Sequence, residues 1–157
     1  MVVVAIVGIL MTIAVFTIGS SDYGGTHGFA DSIAAECETA RLRALSTRRW
    51  QRLEITSTGV ELWQSDTEGL ADPTGYELVR SIAAPRDIEV MAIDDRTHIV
   101  KGDSVPSVGT GLDGSINFAP DGIAEAATVF VGNTRDDTRA RVAVYRATGS
   151  VYVFEGW

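Results

Sequence analysis

The chain has 157 residues, 45% hydrophobic and 22% charged, and a formal net charge of -8. That length and composition suit one globular domain with an appendage and exclude a disordered chain. The acidic balance excludes a general nucleic-acid binder, which needs a basic surface to displace counterions from phosphates. The single cysteine, Cys37, excludes an internal disulfide and a cysteine-based metal site.

The chain opens with MVVVAIVGILMTIAVFTIGSS, uncharged until Asp22. A helix needs roughly 20 apolar residues to cross about 30 Å of hydrocarbon. A secretory signal would show a basic start, a shorter apolar stretch and a small-residue cleavage site. A helix buried in a protein core would carry a polar stripe, and here only Thr12 and Thr17 interrupt the run. The β-branched Val2, Val3, Val4 and Ile6 are poor helix formers in water, but lipid obliges the backbone to close its own hydrogen bonds. The expectation is a membrane-spanning helix over residues 1–21. Within it the small Ala5, Gly8 and Ala14 permit close helix approach, among the larger Val4, Ile9 and Phe16.

Gly19, Gly24, Gly25 and Gly28 follow. Each costs about 1 kcal/mol relative to alanine inside a helix, so GSSDYGGTHG predicts a flexible joint over residues 22–28. Residues 29–157 then form the outer domain. From Phe29 to about Trp50 the apolar residues recur at helical steps: Phe29, Ile33, Cys37, Ala40 and Ala44. Asp31 or Ser32 suits the N-cap. Glu36 and Glu38 come early, and Arg41, Arg43, Arg48 and Arg49 late, an order that complements the helix dipole. The stripe is made of small residues, so it should pack closely on a sheet. Cys37 reads as a small buried hydrophobe, and the arginines as the solvated face and last turn.

After Trp50 the period becomes two. QRLEIT and VELWQ form a hairpin around Ser57 to Gly59. DTEGLADPTG is a loop, and YELVRSIA, IEVMAID and HIVKG read as strands separated at Pro85 and DDRT. A long loop, GDSVPSVGTGLDG, precedes SINFAPDG, ATVFVGN, ARVAVYRATG and SVYVFEGW, with Val142, Val144, Val151 and Val153 alternating around a turn at Ala147 to Ser150. No stretch after Trp50 has a helical period. The fold class is α+β: a long N-terminal helix packed on an antiparallel β domain.

The residues assemble no catalytic constellation. His27 and His98 have no second ligand at metal spacing, so HExxH zinc chemistry is excluded. GDSV at Gly102 to Val105 resembles a nucleophile motif without a neighbouring histidine, and GTGLDGS resembles a phosphate loop without its lysine; both read as surface loop. Asp94, Asp95, Asp121, Asp136 and Asp137 could offer oxygen ligands to a structural Ca²⁺, but none has EF-hand spacing and aspartate is a common turn residue. No cofactor is expected.

The opening MVVVAIVGIL resembles the N-terminal helix of type IV pilins and type II secretion pseudopilins. ARLRALSTRRWQRLEI, and INFAPDG followed by RVAVYRATGSVYVF, resemble the pseudopilin H family shared with the minor pilins FimT and FimU. Counting along the family motif, with its leader cleaved before a phenylalanine and a glutamate shortly after, puts Met1 about six residues beyond the cleavage point. The cleavage site, the methylated N-terminal residue and the glutamate are thus absent from the chain as written. Phe16 stands where many family members have a proline. The resemblance implies a minor pilin or pseudopilin, anchored in a bacterial inner membrane with its outer domain in the periplasm. Such a subunit helps start filament assembly at the tip, and its partners are other minor and major subunits and the assembly platform, with no nucleic acid. The alternative it implies is a FimT-like DNA receptor in natural transformation. Arg135, Arg139, Arg141 and Arg146 would be its cations, opposed by Asp136 and Asp137.

Overall fold

The computed structural model describes residues 25–71, 73–97 and 114–157. The expected membrane helix, with Val4, Ala5, Gly8, Ile9, Ala14 and Phe16, lies outside them. So do Gly19, Gly24, His98 and the loop motifs around Ser104 and Gly109.

Helix α1 runs Gly25–Thr47. Its stripe of Phe29, Ile33, Cys37, Ala40 and Ala44 is buried, as the spacing predicts. Both helix ends differ from expectation. Gly25 and Gly28, expected in a joint, lie within the first turns of the helix. Their intrinsic cost is offset by packing: Phe29 and Thr26 are buried beside them, and the Thr26 hydroxyl donates to the Thr138 carbonyl at 3.4 Å. At the other end the helix stops at Thr47 rather than near Trp50. The Ser46 and Thr47 hydroxyls both donate to the Arg43 carbonyl, at 3.2 and 2.7 Å, a local bond that competes with the helical ladder. Arg48 then takes a left-handed φ of 54°, and its carbonyl accepts the Gly69 amide at 2.7 Å. Arg48 and Arg49 are therefore outside the helix.

Eight strands follow among the described residues: β1 Arg49–Thr56, β2 Gly59–Glu68, β3 Tyr76–Ala83, β4 Ile88–Asp94, β5 Gly114–Phe118, β6 Ala127–Asn133, β7 Arg139–Val144 and β8 Val151–Glu155. They form two antiparallel four-stranded sheets, ordered β3-β2-β1-β5 and β4-β6-β7-β8. The first hairpin turns at Ser57–Thr58, where expected, with Thr56 opposite Gly59. The terminal hairpin pairs Val142 with Val153 and Val144 with Val151.

Helix α1 packs against both sheets, and the core lies between them. Leu53, Ile55, Val60, Leu62, Ile116 and Phe118 come from the first sheet; Val90, Val129, Val131, Val142 and Val144 come from the second. The small side chains of Cys37, Ala40 and Ala44 let the helix approach both. Cys37 is fully buried and its thiol is pushed well above its ordinary range, first by desolvation and then by Glu38 and Glu36.

Glu36, which the sequence suggests as a dipole partner, is instead buried against the first sheet, where the Arg80 guanidinium meets its carboxylate. Pairing between β2 and β3 shifts register after Leu62: Arg80 sits opposite Leu62, whose neighbour Trp63 sits opposite Leu78. This bulge at Val79 brings Arg80 round to the helix side of the edge strand.

Candidate functional site

The helix enters the described domain at a cleft of about 730 Å³. One wall is the first two turns of α1, with Gly25, Gly28, Phe29 and Ser32. The opposite wall is the β3–β4 connection, with Pro85, Arg86 and Asp87, and the floor includes Ile82 and Ile88. The β6–β7 turn closes it with Asn133, Arg135 and Asp136. The absent side chains at the glycines leave room: a Cβ on Gly28 would meet nothing within 4 Å, and one on Gly25 only Ile88 Cδ1 at 3.9 Å.

The polar rim is built by backbone geometry. Asp87 adopts φ of 66°, unusual for a residue with a side chain. Its carbonyl thereby accepts the Thr134 amide at 2.8 Å, tying the β3–β4 connection to the β6–β7 turn. The Asp87 carboxylate meets Arg135 at 3.1 Å. In the same turn the Asp136 carboxylate accepts the Thr138 amide at 2.8 Å and the Asn133 side-chain amide at 3.2 Å. Hydrogen bonding from Thr138 holds the Asp136 carboxyl below the usual carboxylate range, so it is ionised at neutral pH. Arg86 has no ion pair among the described residues. Sequence reasoning missed Arg86 and Asp87, taking only the neighbouring Pro85 as strand punctuation.

The structure separates the four arginines of the DNA-binding alternative. Arg141 is 2% exposed and stacks over Phe154, 5.1 Å from the ring centroid. Arg139 pairs with Asp137 at 2.5 Å and lies over Trp157 at 5.1 Å. Arg135 is held by Asp87, and Arg146 is exposed in the β7–β8 turn. They form no continuous basic surface of the kind nucleic acid requires.

Of the five aspartates considered for Ca²⁺, three serve turns, while Asp95 and Asp137 pair with Arg96 and Arg139. Asp94 accepts the Arg96 amide, Asp121 the Ile123 amide and Asp136 the Thr138 amide, at 3.1, 3.1 and 2.8 Å. Among the described residues no three carboxylate, histidine or cysteine groups gather to hold a metal ion. Among them too, no helix is long and apolar enough to cross a membrane. On the solvent side of α1, Leu42 and Leu45 are exposed, and Leu45 lies beside Gly122 and the exposed Ile123.

No protein-family profile matches the chain, and no curated protein sequence does. Solved structures do. A crystal structure of the minor pseudopilin EpsH from the type II secretion system of Vibrio cholerae superposes with a TM-score of 0.60 at 9% identity, covering 88% of this chain and 98% of that one. A second structure of EpsH gives 0.55 at 11% identity, covering 83% and 96%. At such identity the match establishes the fold alone: a pilin-like arrangement, a helix packed on antiparallel sheets, shared with EpsH.

Proposed function

We propose that the chain is a structural subunit of a type IV pilus or type II secretion pseudopilus, of the minor pilin or pseudopilin kind, and works at or near the filament tip. One observation carries this reading: a helix cradled by two antiparallel sheets in the EpsH arrangement is preceded in the chain by an uncharged run of membrane-spanning length. In this reading residues 1–21 hold the subunit in the inner membrane, with the outer domain in the periplasm. They then exchange lipid for the helices of neighbouring subunits as the filament grows, in contact with other minor and major subunits and the assembly platform. Ala5, Gly8 and Ala14 supply the small positions that close helix packing needs, and exposed Leu42 and Leu45 extend an apolar surface along α1.

The test is Gly8→Leu in the full chain, expressed with its assembly machinery. The variant should reach the membrane and melt like the parent, yet be strongly depleted from sheared filaments. Undiminished incorporation would contradict the proposal.

A further inference from the structure

We infer that the cleft at the entry end of α1 binds the headgroup of a zwitterionic aminophospholipid, a phosphoethanolamine ester, in the bilayer that holds residues 1–21. The inference rests on the membrane-spanning reading of that segment.

Reach supports it first. Four Cα steps separate Ser21 from Gly25, at most about 14 Å of chain. The headgroup layer on each side of a bilayer is roughly 5–7 Å deep. Gly25 therefore stands no more than about 14 Å from the hydrocarbon edge whenever residues 1–21 span it, which puts the wall it builds within reach of a headgroup.

Charge complementarity then selects the ligand. The four charged groups on the rim are Arg86, Asp87, Arg135 and Asp136. Asp87 and Arg135 neutralise one another at 3.1 Å. That leaves the Arg86 guanidinium, without an ion pair among the described residues, to take a phosphate. The Asp136 carboxylate already accepts the Thr138 and Asn133 amides but carries no ion pair among the described residues, and on the exposed rim its remaining lone pairs can take a cation. One anion site and one cation site fit a dipolar headgroup. A primary ammonium can donate hydrogen bonds to Asp136, which the quaternary ammonium of phosphocholine cannot. Phosphoglycerol brings a phosphate and no cation. The volume of about 730 Å³ lies within the usual 300–1,000 Å³ range of small-ligand sites. Phe29, Ile82 and Ile88 offer an apolar lining to the glycerol end.

The experiment uses the full chain in mild detergent, offered phosphatidylethanolamine, phosphatidylcholine or phosphatidylglycerol of matched acyl chains, with retained lipid counted by native mass spectrometry. Phosphatidylethanolamine should be retained several-fold better than either of the others. Arg86→Gln and Asp136→Asn should each erase the preference. Arg86→Gln should do so without lowering the melting temperature, whereas Asp136→Asn should lower it slightly, since it removes the charge that Thr138 and Asn133 hydrogen-bond. Equal retention of the three lipids, preference for phosphatidylglycerol, or variants that keep the preference would overturn the inference. Alkaline carbonate extraction of the full chain from membranes separates the two levels. Release overturns the membrane reading and the lipid site with it. Resistance without headgroup preference overturns the lipid site alone.

Discussion

The two sheets share a helix but not a solvent exposure. In the first, β1 alternates: Gln51, Leu53 and Ile55 are buried toward α1, while Trp50, Arg52, Glu54 and Thr56 are only partly covered. In the second, β6 from Ala127 to Gly132 and β7 from Ala140 to Val144 are buried at every position. One face of these strands meets the helix through Val129, Val131, Val142 and Val144. On the other face Phe130 stands edge-on to Trp157, ring centroids 5.5 Å apart, and the Thr128 hydroxyl donates to the Arg96 carbonyl at 2.6 Å. The central strands β6 and β7 of the second sheet are thus covered on both faces, whereas β1 of the first sheet keeps one partly wet face. A sheet buried on both faces loses packing whichever face is altered; a sheet with one wet face loses it from one side only.

That contrast predicts a graded series. The largest effect belongs to Phe130→Ala, which should destabilise by about 3–5 kcal/mol in chemical denaturation, because it empties the second buried face of β6. A loss below about 1 kcal/mol, the centre of ordinary point-mutant effects, would mean that face is not a packed layer. Next comes Arg80→Ala on β3, the edge strand of the first sheet. It strands the Glu36 carboxylate, which is 3% exposed, whereas the Arg80 side chain is 57% exposed. Water can enter from the arginine side, so the cost should be about 1–3 kcal/mol rather than that of a fully enclosed pair. Glu36→Gln should cost less than Arg80→Ala, since it leaves no buried charge; the reverse order would refute the clamp.

A smaller effect is pH-dependent and sits at the β2–β3 loop. The Thr74 hydroxyl, with help from Thr67 and the Gly75 amide, holds the Asp66 carboxyl below the usual range. A carboxyl whose folded pKa is depressed adds stability above its unfolded value, near 3.9, and that stability is lost as pH falls through the folded one. Asp66→Asn should therefore lower the melting temperature slightly at pH 7 and less at acid pH, below the folded pKa. An equal loss at both would remove the charge from the explanation. The smallest effect is Arg52→Ala on the wet face of β1. Its guanidinium lies 4.1 Å from the Tyr76 ring centroid, an exposed contact worth about 0.5–1 kcal/mol.

How much of this was legible beforehand follows from the same physics. The stripe from Phe29 to Ala44 and both tight hairpins are local patterns, and they are where periodicity and turn chemistry put them. The division into two sheets is a long-range matter: β4 leaves its sequence neighbour β3 for β6, a choice that strand patterns do not encode. Arg141 reads in the sequence as a cation for nucleic acid, although its aliphatic stem and planar head are buried over Phe154. The helical glycines and the buried Glu36 were misread because tertiary packing overrode local propensity. Arg86 and Asp87 became visible only when the fold set them across a cleft from α1, since turn residues and site residues look alike in a chain.

The central claim is that residues 1–21 leave lipid for the helices of neighbouring subunits. A benzophenone amino acid placed at Ile9 of the full chain tests it directly, by photo-cross-linking before and after filament assembly is triggered. Before assembly, adducts should form with lipid; afterwards, in sheared filaments, with other filament subunits through their own N-terminal segments. A full-length chain that stays monomeric in water, with position 9 cross-linking only to its own domain, would contradict it.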